Sequence, residues 1–264
     1  MVSDSYKQRF GGIARLYGSD SLDLLAQAHF VVVGLGGVGT WAAEAAVRSG
    51  VGEITLIEMD DVCVTNTNRQ LHALQSHIGA SKNQVMRARL LEINPELRVN
   101  SVEDFLDIDN IQELILPKHD VVIDAMDAAH IKAGLVAYCS ARKIRLITVG
   151  SSGGKLSPQS VSVGDLAHTE GDPMLAKIRN QLFRHYKFSR DKNRKFRVDA
   201  VFSAEQMVYP KPDGSVCTDK QFLQDGVKLD CTGGFGSSVM VTGTFGFVAT
   251  AKAVERYLQK KRSQ

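Results

Sequence analysis

A chain of 264 residues, 44% hydrophobic and 23% charged, carries enough apolar material for one sizeable α/β domain and is too ordinary to be disordered or fibrous. Its net charge of +3 is too small on its own to imply a polyanionic partner. Four scattered cysteines without a CxxC pair exclude a secreted disulfide scaffold and argue against a structural zinc knot, and the opening MVSDSYKQRF lacks the order of a signal peptide, so a reducing cytoplasm is the expected setting.

In chain order, residues 3–28 are polar-amphipathic and predict helix. The β-branched run HFVVVG predicts a strand over 29–33, buried on both faces. After a glycine turn, TWAAEAAVRSG is rich in helix formers and stops at Gly50, a C-cap residue type, and EITLIEMD (53–60) is a second strand. SKNQVMRARLLEIN (81–94) predicts a helix closed by Pro95, followed by a short strand near RVNSVE. DVVIDAMD (120–127), IKAGLVAYCSARK and IRLITVG (144–150) then read as strand, helix and strand. This alternation predicts a doubly wound, mostly parallel, Rossmann-like α/β sheet.

Beyond residue 155 the pattern loosens. LSPQSVSVGDLA reads as strand and turn, DPMLAKIRNQLFRHYKF as helix, and KFRVDAVFSAEQMVYP as a strand approaching a loop. Residues 231–251 carry no charge over a length that could cross a bilayer, yet five are glycine and none is Leu or Ile. Such small residues favour a helix packed closely on protein, at the core or a dimer interface, with membrane contact the minor alternative. AKAVERYLQKKRSQ would then add a closing helix. With no linker or repeat, a single domain over 1–264 is expected, with a nucleotide core over about 9–155 and substrate and dimer elements over about 156–264.

The turn VGLGGVG sits between strand and helix, where free amides and the helix dipole favour phosphate. Gly34, Gly36, Gly37 and Gly39 would let a nucleotide approach the backbone, with Glu58 at the end of the second strand placed for a ribose hydroxyl. By itself this pattern serves a nicotinamide dinucleotide as well as ATP. The block EMDDVCVTNTNRQ separates the two. A redox protein has no use for Asn66, Asn68 and Arg69 crowded just past Glu58 and Asp60, whereas a triphosphate needs a cation and amide donors there. Lys82, opening the next helix, adds a second cation. Asp124 and Asp127 end a strand where a hydrated Mg2+ would bind.

GLGGVG, TNTNRQ, Lys82 and DAMD together resemble the ubiquitin-activating-enzyme-like (ThiF-type) adenylyltransferases, in that family's order and spacing over 9 to about 155. The resemblance implies that a substrate carboxylate takes the α-phosphoryl group of ATP, giving an acyl-adenylate and pyrophosphate. It places Glu58 on the ribose, where Asp is usual, Asn68, Arg69 and Lys82 on the triphosphate, and Asp127 on Mg2+. It also implies a homodimer, with an arginine donated from the partner's N-terminal segment; Arg15 in QRFGGIARLYG is the candidate.

Two features bear on whose carboxylate is activated. Family members that adenylate sulfur-carrier or ubiquitin-like proteins commonly bind zinc through two CxxC pairs, and none exists here. Residues 177–197 instead concentrate nine Lys or Arg against one acid, interleaved with Phe183, Tyr186, Phe188 and Phe196. Cations for phosphates and rings for unstacked bases are what a nucleic-acid groove needs, which makes Arg184, Lys187, Arg190, Lys192, Arg194, Lys195 and Arg197 candidate nucleic-acid contacts, and tRNA contacts by the resemblance that follows; the alternative is a solvated basic face. RFGGIARLYG, DDVCVTNTNRQ, VFSAEQMVYP and DCTGGFGSS resemble one branch in particular, which cyclises threonylcarbamoyladenosine beside the tRNA anticodon with net loss of water. No enzyme nucleophile is then needed, because the attacking carbamoyl atom is tethered to its electrophile. That branch also implies contact with a cysteine desulfurase and its sulfur-acceptor protein. Cys231 would matter there if a helix N-terminus lowered its pKa, although a buried small hydrophobe is the commoner fate of a lone cysteine. The competing functions are a sulfur-carrier adenylyltransferase, a nicotinamide oxidoreductase and a non-catalytic nucleotide-binding scaffold.

Overall fold

The computed structural model describes residues 2–191, 193–211, 213–218 and 235–264. The N-terminal helix expected over 3–28 is two helices, α1 (Asp4–Tyr17) and α2 (Ser21–Ala26), because Gly18 turns the chain at φ 95°. The predicted alternation follows: β1 (His29–Val33), α3 (Gly39–Arg48), β2 (Glu53–Ile57), α4 (Lys82–Ile93) and β3 (Arg98–Val102). A short α5 (Ile111–Leu114) leads to β4 (Val121–Asp124), α6 (Ala129–Arg142) and β5 (Arg145–Val149). The remainder comprises β6 (Val161–Asp165), α7 (Pro173–His185), β7 (Asp199–Ser203), β8 (Tyr209–Pro210), β9 (Val216–Cys217) and α8 (Val239–Arg262).

Seven strands form one sheet in the order β3-β2-β1-β4-β5-β7-β6, parallel except for the edge strand β6. The chain reverses its direction of growth between β1 and β4, so a crevice opens at the carboxyl ends of these neighbours, where doubly wound sheets bind ligands. Strand alternation divides the core. Phe30, Val32, Ile54, Leu56 and Ile123 pack under α3, α4 and α8, while Val31, Val33, Ile57 and Val122 pack against α6 and α7.

The C-terminal reading needs correction. Instead of two closing helices, 239–262 is one helix of 24 residues, about 36 Å long. Its small residues bring it against α3. A Cβ on Gly246 would lie 2.6 Å from the Val38 carbonyl oxygen, and Thr250 Oγ1 donates to the Ala42 carbonyl at 2.9 Å. Close helix packing therefore accounts for the uncharged stretch from residue 239 onward. No helix among the described residues is long and apolar enough to cross a membrane. Residues 231–234, Cys231 among them, lie outside the described residues.

Helix α8 links the two ends of the sheet. At the carboxyl end, the Val239 amide donates to the Asn68 carbonyl at 3.1 Å. At the amino end, Tyr257 Oη donates to the Leu24 carbonyl at 2.7 Å and Arg262 holds Asp20 at 2.8 Å.

Candidate active site

The turn after β1 is shaped by what cannot fit beside it. Gly34 adopts φ 86°, and a Cβ on Gly39 would fall 1.8 Å from the Gly34 carbonyl oxygen, so only glycine lets α3 begin this close to the strand. A Cβ on Gly36 would meet nothing within 4 Å, which leaves open space over the turn where phosphate can approach its amides. Gly34 also packs against the backbone of Ala125 and Met126, bringing the loop after β4 to the same crevice.

Glu58 is buried beneath the turn. Its Oε2 accepts from the Leu35 amide at 2.8 Å, and its Oε1 accepts from the amides of Met59 and Asp60 at 3.0 and 2.9 Å. Lys82 is the first residue of α4, whose N-cap Ser81 accepts from the Gln84 amide. Only 5% exposed, its ammonium lies 2.8 Å from Asp60 and 4.0 Å from Glu58. Arg69 lies across the turn, since a Cβ on Gly37 would be 3.0 Å from its Cγ. Its guanidinium donates to Thr65 O and Asn68 Oδ1 at 2.9 and 3.0 Å, and its carbonyl accepts from the Trp41 indole. The structure thus gathers the glycines, Glu58, Asp60, Arg69 and Lys82 around one crevice.

Three expected ligands do different work. Asp124 does not face the crevice. It is fully buried, with Oδ1 2.9 Å from Lys132 Nζ and Oδ2 accepting from Thr148 Oγ1 at 2.7 Å. Lys132 also donates to the Met126 carbonyl, so this buried pair holds the 125–128 loop rather than a metal. Asn66 is buried and its Oδ1 accepts from the Cys63 amide, which shapes the loop. Asn68 donates its Nδ2 to the Ser237 carbonyl at 2.8 Å and so ties the loop to the start of α8. Asp127, by contrast, is exposed and has no partner among the described residues.

Arg15 is exposed on the last turn of α1, which packs at the amino end of the sheet: Tyr6 Oη donates to the Gly50 carbonyl, and Arg9 to the Ile93 carbonyl. It therefore lies at the opposite end of the sheet from its own glycine turn. His72 went unnoticed in the sequence. It is 1% exposed, neither ring nitrogen has a hydrogen-bond partner among the described residues, and burial, aided by nearby Lys82, pushes its pKa down to about 4. Its place within NRQLHAL, three residues after Arg69, is the signal that could have found it.

The basic segment also lies far from the crevice. α7 starts near the carboxyl end of β5, where Asp172 accepts from the Ser151 amide, and 186–197 return the chain to the start of β7 at the amino end. Arg184, Lys187, Arg190, Arg194, Lys195 and Arg197 are exposed; Lys192 lies outside the described residues. The aromatic residues are not free stacking platforms. Phe196 packs edge-on against Phe183 and Phe188, Tyr186 joins the same core face, and Arg190 covers the Phe183 ring at 4.9 Å. They anchor the basic loop.

Comparison with known proteins gives a consistent picture. The ThiF family matches residues 10–258. A tRNA threonylcarbamoyladenosine dehydratase of Escherichia coli is 49% identical over 264 residues, covering 100% of this chain and 98% of its own. Its counterpart from Haemophilus influenzae is 46% identical over 98% of this chain and 96% of its own. The crystal structure of the Escherichia coli dehydratase in complex with ATP superimposes with a TM-score of 0.89 at 46% identity, covering 100% of this chain and 99% of that one. With its glycine turn and paired cations at the switch point of the sheet, the chain belongs to the ThiF family.

Proposed function

We propose that this chain is an ATP-dependent dehydratase that cyclises threonylcarbamoyladenosine in tRNA, working as a single adenylating domain in the cytoplasm. The observation that carries this reading is the full-length likeness, at 46–49% identity, to proteins bearing that activity in their names.

ATP supplies the activation: the threonyl carboxylate becomes an acyl-adenylate with release of pyrophosphate, and a carbamoyl atom of the same substrate then displaces AMP, with net loss of water. The chain's own residues prepare and hold these events. The amides of the turn and the start of α3 receive phosphate oxygens. Arg69 and Lys82 neutralise charge on the triphosphate, and Asp60 holds the Lys82 ammonium in position before the nucleotide arrives. Glu58 fixes the turn through Leu35 and keeps one acceptor site, on Oε2, for a ribose hydroxyl. Among the described residues no cluster of three or more His, Cys, Asp or Glu could hold a metal ion. Mg2+ arriving with the nucleotide would be held from the protein side by the exposed carboxylate of Asp127, and it would supply charge neutralisation for the departing pyrophosphate. Once the acyl-adenylate exists, the protein needs only to keep the tethered groups close and water out.

In this reading Arg15 enters the crevice of a second copy, which makes a homodimer the working unit. The exposed cations of 184–197 contact the tRNA. Contact with a cysteine desulfurase and its acceptor is carried by the resemblance alone.

The test is mass spectrometry of nucleosides from tRNA incubated with the protein and ATP. The expected product is the threonylcarbamoyl nucleoside lighter by one water, with AMP released. Unchanged nucleosides, alongside adenylation of a small protein's C-terminus, would replace this reading with the sulfur-carrier adenylyltransferase.

A further inference from the structure

A cavity of about 870 Å³ opens at the amino ends of β5 and β7, on the far side of the sheet from the glycine turn. Seven Lys or Arg and only two carboxylates line it. The carboxylates are already engaged. Asp199 accepts two bonds from Arg256, at 2.6 and 2.8 Å, and Asp165 accepts from the amides of Phe196 and Arg197 at 2.9 and 2.7 Å. Lys252 pairs with Glu255. Lys143, Arg145, Lys195, Arg197 and Lys260 have no ion-pair partner among the described residues.

Two details mark this as a built site rather than a solvated fringe. Arg145 is drawn into the protein at the start of β5, with a buried Nε that meets no acceptor among the described residues. Burial first, and Arg256 second, work against its charge, and only Asp199 favours it. A half-buried cation with one buried nitrogen unpaired is better compensated once an anion reaches it. The backbone adds the second detail. Among the described residues only Lys143, Lys187 and Arg197 combine a side chain with positive φ, at 57°, 58° and 59°, and two of the three line the cavity. Left-handed backbone at non-glycine residues is uncommon and tends to gather where a side chain must be aimed.

We propose that this cavity is a phosphate seat that takes a backbone phosphate of the tRNA, with Arg145 as its floor and Lys143, Arg197 and Lys260 around its mouth. This rests on the tRNA reading above and deepens it. The basic loop contributes Lys195 and Arg197 to the seat, while α6, β5 and α8 contribute the rest. RNA is therefore gripped at the amino end of the sheet while its modified base reaches a crevice at the carboxyl end, in the same or a partner protomer.

Fluorescence anisotropy with full-length tRNA over a range of KCl concentrations tests this, using the intact protein and three variants. Lys143→Gln with Lys260→Gln should weaken binding about tenfold and make the salt slope shallower by about 0.7–0.9, the share of one phosphate contact. Arg145→Met should weaken binding similarly while its melting temperature holds or rises, a combination that a purely structural arginine would not give. ATP affinity should be unchanged in both. Arg190→Gln with Arg194→Gln, on the loop outside the cavity, serves as the control for the tRNA reading. If the cavity variants bind tRNA like the unmodified protein while the loop variant binds more weakly, the seat is wrong and the tRNA reading stands. If the unmodified protein shows no salt-dependent tRNA binding, both fall. Inorganic phosphate is the remaining probe. Stabilisation by it that the Lys143/Lys260 variant abolishes, with tRNA affinity untouched, assigns the cavity to free phosphate and overturns its use for RNA.

Discussion

Lys82 and Arg145 are both cations drawn into the protein at opposite ends of the same sheet. Lys82 has Asp60 at 2.8 Å and Glu58 at 4.0 Å, whereas Arg145 keeps a buried Nε that meets no acceptor among the described residues. The carboxyl end is compensated before any ligand binds, and the same holds beneath it, where Lys132 and Asp124 sit fully buried 2.9 Å apart. At the amino end Lys143, Arg145, Lys195, Arg197 and Lys260 have no ion-pair partner among the described residues, as the proposed phosphate seat requires. The difference fits two tasks. Chemistry on a triphosphate needs groups fixed in place beforehand, while holding a long polyanion needs net charge and reach.

The largest effect expected at the carboxyl end comes from breaking the buried pair. Lys132→Met leaves Asp124 charged and without its cation, with only Thr148 and the Met126 amide as donors, and should lower unfolding free energy by about 3–5 kcal/mol. Chemical denaturation measures this, and a loss below about 1 kcal/mol would mean the pair is not what holds the 125–128 loop. Next come the cations over the turn. Lys82→Ala or Arg69→Ala should reduce AMP formation on the order of 10²–10³-fold, the effect of removing one positioned donor. Affinity for tRNA should stay within about twofold, because the proposed contacts lie at the other end. Parallel loss of both would merge the two ends into one site.

Acid should strain both ends together. His72 at the carboxyl end and His119 at the amino end both have pKa values pushed down to about 4, chiefly by burial. His119 also uses its Nδ1 to accept from the Leu116 amide, which protonation would forbid. Both folded-state values lie below the ordinary histidine value, so between about pH 6.5 and 4 the unfolded chain binds more protons. Stability is full above that window and falls as the pH drops through it, by on the order of 2–3 kcal/mol for each group. Urea titrations at stepped pH should show this. His72→Gln and His119→Gln should each flatten the dependence, and a slope that survives both variants would place the acid sensitivity elsewhere.

How much was legible in sequence differs between the same two ends. β1 over 29–33 and α4 within 81–94 were readable because a continuous β-branched run and a run of helix formers closed by Pro95 are local signals. The glycine turn and Glu58 were readable because they directly follow β1 and β2, and Arg69 and Lys82 because they put two cations into the segment that joins β2 to α4. What failed there was side-chain direction. Asp124 and Asp127 look alike in DAMD, yet the register that pairs Val33 with Asp124 puts the first inside the sheet and leaves the second in solvent. The amino end was only half legible. A run of cations exposes the 184–197 loop, but nothing in sequence links it to Lys143, Arg145, Arg256 and Lys260, which reach the cavity through a parallel strand and a helix from the far end of the chain. The uncharged stretch was legible as a closely packed helix because its small residues suit close approach; its unbroken run into the closing helix was not, since no glycine or proline signal distinguishes one long helix from two there.

The smallest effect concerns the helix that joins the ends. Asn68 was expected on the triphosphate, but its amide donates to Ser237 and its carbonyl accepts from the Val239 amide, so it fastens the start of α8 to the motif loop. The far end of α8 has its own anchors in Tyr257 and Arg262. Asn68→Ala removes two exposed side-chain hydrogen bonds, to Ser237 and from Arg69, and should lower stability by only about 1 kcal/mol. The local consequence is sharper. Amide exchange should quicken over the first turn of α8, at Val241 and Thr242, and stay unchanged at Tyr257 and Leu258, because opening one end of a packed helix leaves the other protected. Exchange that rises along the whole helix would mean that α8 detaches as a unit and couples the two ends. Exchange that rises nowhere would mean that its packing on α3 alone holds it, and the two ends are then independent in the free protein.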